Sequence, residues 1–115
     1  MPVADINLIR NSKIIRKVIQ SQVDSTGDAY VLKVRAELVN GWILHYWEHG
    51  TIKVRRYSFH VSLGRTMIAR WDNAPHHPEV KSFPHHRHTG RTIEASKEMT
   101  VALVLSEIQA MIDKS

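Results

Sequence analysis

The chain has 115 residues, 16 Lys plus Arg against 11 Asp plus Glu, and a formal charge of +5 with its eight histidines neutral. That length serves one hydrophobic core, and an apolar content of 43% belongs to a globular chain rather than a disordered one. The absence of cysteine excludes a disulfide scaffold, a thiol nucleophile, an iron–sulfur cluster and any Cys-based zinc site. No apolar run approaches the roughly 20 residues that span a bilayer, and no basic-then-apolar leader opens the chain. The expectation is one soluble, cytoplasmic domain over residues 1–115, with no membrane partner. A sequence pI near 9.8 adds an anionic partner, nucleic acid or an acidic protein.

Residues 5–13 carry Ile6, Leu8 and Ile9 and read as a short helix or as the lead into a strand. From Ile14 to Val23 branched residues favour a strand, and Asp24-Ser25-Thr26-Gly27-Asp28 is a turn signal. Tyr30 to Val39 alternates, with Tyr30, Leu32, Val34, Ala36 and Leu38 on one face, as in a half-buried strand. Asn40-Gly41 predicts a tight hairpin turn with positive φ at its centre. Trp42–His49, Ile52–Leu63 and Thr66–Asp72 follow as strands on short connections. Such spacing leaves no room for helical crossovers, so the sheet is antiparallel.

Asn73–Gly90 differs in kind. Pro75, Pro78 and Pro84 bar it from a central strand. It reads as a long loop, ordered by Phe83 and its prolines, and loops of that length carry function when they are ordered. Arg91–Ala95 reads as a short edge strand. Lys97–Asp113 reads as a helix, with Val101, Leu105, Ile108 and Ile112 at helical spacing and Ser96 as N-cap. The predicted fold is α+β: an antiparallel meander of five to six strands, a C-terminal helix on one face and a short N-terminal helix as an option.

Six of the eight histidines lie between His60 and His88, and five fall within His76–His88. Three readings of this cluster compete. Imidazoles titrate near neutral pH and can move protons around a phosphate, with Arg70 and Arg87 flanking as cations. Alternatively, His86-x-His88 or His76-His77 with Asp72 holds a divalent metal, although the spacing matches no specific zinc signature. Finally, the loop histidines cap backbone groups, stack on Trp71 or Phe83, or are solvated. In Tyr57-Ser58-Phe59-His60, strand alternation puts Arg56, Ser58 and His60 on one face, where a phosphate could bind. Trp42, Trp47 and Trp71 read as core first and as base-stacking groups second. Lys33, Arg35 and Glu37 read as a solvated face first and a nucleic-acid stripe second.

Tyr57-Ser58-Phe59-His60, Arg70-Trp71-Asp72-Asn73-Ala74-Pro75-His76-His77-Pro78-Glu79 and Phe83-Pro84-His85-His86-Arg87-His88 resemble the TumE-type toxin family. These are small prokaryotic proteins, the toxin halves of type II toxin–antitoxin pairs. The resemblance covers about residues 53–112 and carries over His60, Asp72, Asn73, His76, His77, His85, His86 and His88, without individual roles. It implies a cognate antitoxin and a prokaryotic cytoplasm. The expected activity is that of a small basic endoribonuclease, by analogy with other such toxins. A metal-dependent nuclease or hydrolase and a non-enzymatic binding module are the alternatives. His60, Asp72, His76 and His77 are the expected catalytic residues. Arg56, Ser58, Arg70, Asn73, His85, His86, Arg87 and His88 are the expected substrate contacts, with RNA as substrate. No cofactor is expected, a divalent metal being the alternative. His60 is expected within hydrogen-bonding or single-water reach of His76, His77, His85 or His86. A homodimer is an option through an exposed edge strand or the Val31/Val39/Trp42 region.

Overall fold

The structure, a computed structural model, describes residues 2–115. Helix α1 (Pro2–Asn11) precedes strands β1 (Ile15–Thr26), β2 (Ala29–Leu38), β3 (Ile43–Gly50), β4 (Arg55–Leu63) and β5 (Thr66–Asp72). Two short strands, β6 (His86–Thr89) and β7 (Thr92–Ala95), come next, and helix α2 (Val101–Lys114) follows them. All seven strands form one sheet in chain order, with every neighbouring pair antiparallel. The α+β meander is therefore as expected, and the N-terminal alternative resolves as a helix.

The strand count is seven rather than five to six because the expected loop ends early. Residues 86–89 pair with β5 as Arg70↔His88, Trp71↔Arg87 and Asp72↔His86. Their alternation is hidden in sequence because the side chains on both faces are polar or charged. Three other boundaries move. β1 runs on to Thr26, so its turn contracts to two residues. β4 begins at Arg55 rather than Ile52. Helix α2 begins at Val101, where Thr100 is the N-cap and its hydroxyl accepts the Leu103 N–H. Ser96 does not cap it: its hydroxyl donates to the Lys97 carbonyl, and its N–H donates to Ser82 Oγ. At Asn40-Gly41, glycine alone takes the positive φ that closes the β2–β3 hairpin.

Alternation sorts the strands into two unlike faces. Leu32, Val34, Ala36 and Leu38 of β2, Leu44 and Tyr46 of β3, Phe59 and Val61 of β4, and Ala69 and Trp71 of β5 are buried. They form one cluster with Ile9 of α1 and Val101, Val104 and Ile108 of α2. One cross-strand row, Val34–Tyr46–Phe59–Trp71, runs through this face, and Tyr46 stacks on Phe59 with centroids 4.3 Å apart. Burying each large apolar side chain is worth about 1.5–3 kcal/mol. Glu48, buried on the same face, accepts from the Tyr46 hydroxyl at 2.6 Å and from Arg55 Nε at 2.9 Å. Burial and Glu48 together push the Tyr46 and Tyr30 hydroxyls well above their usual pKa, so both remain donors. On the opposite face Lys33, Arg35, His45, Trp47 and His49 are exposed. No helix among the described residues is long and apolar enough to cross a membrane.

Ile108→Ala should cost about 3 kcal/mol in denaturant unfolding, since it empties a fully enclosed site where α2 meets the sheet. Thr100→Ala should cost about 1 kcal/mol.

Candidate functional site

Cross-strand pairing carries polar chemistry across the uncovered face in two adjacent rows. One row is Gln20–Arg35–His45–His60–Arg70–His88. The next is Lys33–Trp47–Ser58–Asp72–His86. The rows line two concavities that meet at Trp47 and Ser58. The first, about 570 Å³, takes Gln20, Lys33, Arg35, His45 and His60. The second, about 360 Å³, takes Arg56, Arg70, Asp72, Asn73, Pro75 and His76. Together they make a groove with cations along its length and an exposed indole, Trp47, at its middle. His60 lies 5.8 Å from His45, ring centre to ring centre. Desolvation lowers the pKa of both imidazoles, helped by the neighbouring His45 and Arg70 charges at His60 and by Arg35 at His45. His60 Nε2 is enclosed and has no hydrogen-bond partner among the described residues.

Asp72 anchors the far end of the groove. It closes β5 and is buried. Its Oδ2 accepts from Arg70 Nε at 2.9 Å. Its Oδ1 accepts the Ala74 N–H at 3.1 Å and lies 2.8 Å from His86 Nε2. His88 Nε2 is 3.6 Å from Oδ2 and 3.1 Å from Arg70 Nη2. Burial and Arg70 lower the His88 pKa, with Asp72 opposing. His77 comes down from the loop onto this pair. Its ring is edge-on to His86 at 4.9 Å and to His88 at 5.6 Å, and His86 and His88 are 4.8 Å apart.

The expected site residues thus divide. Arg56, Ser58, His60, Arg70, Asp72 and His76 line the groove, and His77, His86 and His88 gather at its end. His85 and Arg87 do not join them: alternation along β6 sends Arg87 to the helix side, and His85, just before the strand, lies there too. His85 Nδ1 lies 2.8 Å from the Tyr57 hydroxyl, which also accepts the Met99 N–H. The Arg87 guanidinium lies over the Trp71 ring, 5.6 Å from its centre. Asn73 lines the groove too, and its side chain accepts the Tyr57 N–H at 2.9 Å and donates to the Arg55 carbonyl at 2.7 Å, tying the loop to β4. No hydrogen bond joins His60 to His76, His77, His85 or His86 among the described residues; His60 lines the first concavity and His76 the second. Trp47, expected in the core first, and Lys33 and Arg35, expected on a solvated face first, line this groove, as does His45, which the sequence reading does not single out. The exposed phase of the β2 and β3 alternation was the signal for them.

Compared with known protein families, residues 5–114 match the profile of the family described as Toxin TumE. Neither the curated proteins nor the solved structures compared with the chain give a match.

Asn73→Ala should cost about 2 kcal/mol or more, because two backbone groups of β4 lose the side-chain partner that Asn73 gives them. Stability should also fall on acidification. His45, His60, His85 and His88 have pKa values lowered by folding. The unfolded imidazoles take up protons near pH 6.5, where the folded ones do not. Their contribution is therefore complete above about pH 6.5 and declines as pH falls toward the lowered folded values. Unfolding at pH 7.5 and 5.5 should show the loss, and His45→Gln with His60→Gln should reduce it.

Proposed function

The chain belongs to the TumE toxin family, which implies an antitoxin partner, and from that premise we propose that it is a cytoplasmic toxin that cleaves RNA along the open sheet face. The observation that carries this reading is the groove. Lys33, Arg35, Arg56 and Arg70, the exposed Trp47 and the imidazoles of His60 and His76 line one continuous surface. Cations that track a backbone, with an aromatic face on which a base can stack, are what single-stranded RNA requires.

In this reading a base stacks on Trp47, and Arg56 and Arg70 hold the adjacent phosphate. His60, kept neutral at pH 7 by its surroundings, takes the proton from a ribose 2′-hydroxyl. The 2′-oxygen attacks phosphorus, and the bond to the 5′-oxygen breaks. His76 gives that leaving oxygen a proton. One proton is taken and one given, and the products are a 2′,3′-cyclic phosphate and a 5′-hydroxyl end. Charge developing on the phosphate is stabilised by the two guanidiniums, of which Arg70 is held in place by Asp72.

Purified protein incubated with cellular RNA should yield fragments ending in 2′,3′-cyclic phosphate. His60→Ala and His76→Ala should each slow cleavage by about 10²–10⁴-fold while leaving RNA affinity nearly unchanged. Trp47→Ala should weaken binding by about tenfold or more. Growth arrest with intact RNA excludes the reading.

A further inference from the structure

We propose that His77, His86 and His88 form a binding site for one divalent transition-metal ion of the zinc class, which ties the proline-rich loop to β6. The inference rests on the ribonuclease reading only for the purpose of the tie; the ion itself is argued from the three imidazoles.

Their ligating atoms all lie within 4.8 Å of one another. The ring centres stand 4.9, 5.6 and 4.8 Å apart, with interplanar angles of 74°, 70° and 72°. A tetrahedral zinc bonded to three ring nitrogens at about 2 Å holds ring centres about 5 Å apart. Hydrogen bonding prepares two of the rings. His86 Nδ1 donates to the Pro84 carbonyl at 2.9 Å, and His77 Nδ1 donates to the Glu79 carboxylate at 3.2 Å. Each contact places a proton on Nδ1 and leaves Nε2 as the ligand atom. In the buried His86, Nε2 in turn faces Asp72 Oδ1 at 2.8 Å. A metal ion bound there therefore has the Asp72 carboxylate beside it. Three imidazoles without a thiolate suit zinc, nickel or cobalt rather than calcium or magnesium.

One group opposes the ion. Arg70 Nη2 lies 3.1 Å from His88 Nε2, and Arg70 Nε lies 2.9 Å from Asp72. A guanidinium there competes with a metal for the same electron pairs and repels it. Metal binding therefore turns Arg70 away from His88, toward the groove it lines. The ion takes no part in the proton transfers. It joins His77, from the loop, to His86 and His88, from the sheet, and so steadies the neighbouring His76.

The test is titration of the metal-free protein with zinc, followed by calorimetry and metal analysis, and with cobalt(II), followed by visible absorption. One ion per chain and a tetrahedral cobalt spectrum are expected. His77→Ala and His88→Ala should each weaken zinc binding at least tenfold, while His49→Ala leaves it unchanged. Arg70→Met should tighten it about tenfold. His77 is only half-buried, so circular dichroism of the metal-free His77→Ala protein should match the parent. Absence of stoichiometric zinc, or zinc retained by both histidine variants, overturns the site. RNA is absent from these titrations. Protein that binds zinc but leaves RNA intact excludes the ribonuclease reading alone, and protein that cleaves RNA without taking up zinc excludes the metal site alone.

Discussion

The open face depends on one buried carboxylate. Asp72 sits at the last position of β5, where burial makes an unpaired charge costly. It is satisfied from three directions: by Arg70 of its own strand, by His86 of the next strand and by the Ala74 N–H of the loop. Those contacts fix the outward angle of Arg70, dock β6 and start the loop on its path. Asn73 performs the matching task on the β4 side. Two adjacent residues therefore turn a strand end into a junction where sheet, loop and groove meet.

The sheet divides labour between its faces. The helices and the apolar row beneath them supply the burial that stabilises the fold, and the uncovered face is left to polar side chains. The fold's net positive charge is put to use there, since cations from β2 line one concavity and cations from β4 and β5 line the adjoining one. Imidazoles packed among those cations resist protonation. That keeps them available to exchange protons near neutral pH rather than serving as additional fixed charges.

Much of the fold was legible in the residues. The alternation of β2, the Asn40-Gly41 hairpin and the spacing of Val101, Leu105 and Ile108 each reflect a local physical rule, and each held. β6 was not legible, because its four side chains, His86 to Thr89, carry no apolar face; only pairing with β5 makes it a strand. The candidate site was legible in part. Strand phase correctly grouped Arg56, Ser58 and His60. His85 and Arg87 were grouped with their chain neighbours, although strand geometry separates them, and Asn73 was read as a substrate contact when its amide is spent on backbone. Trp47 was discounted because tryptophan is usually core, yet its odd-numbered position in β3 shares the phase of His45 and His49, opposite to Leu44 and Tyr46.

The brevity of β6 has a geometric corollary. Substitutions along the groove alter contacts one at a time and leave the helix-covered side untouched. A one-residue insertion or deletion between Pro84 and His86 acts on every position of β6 at once. It would rotate the strand by half a turn, lifting Arg87 into the groove and driving His86 and His88 against Trp71. A change of residue type on the exposed surface is therefore a local event, whereas a change in the length of that short segment is felt along the whole strand.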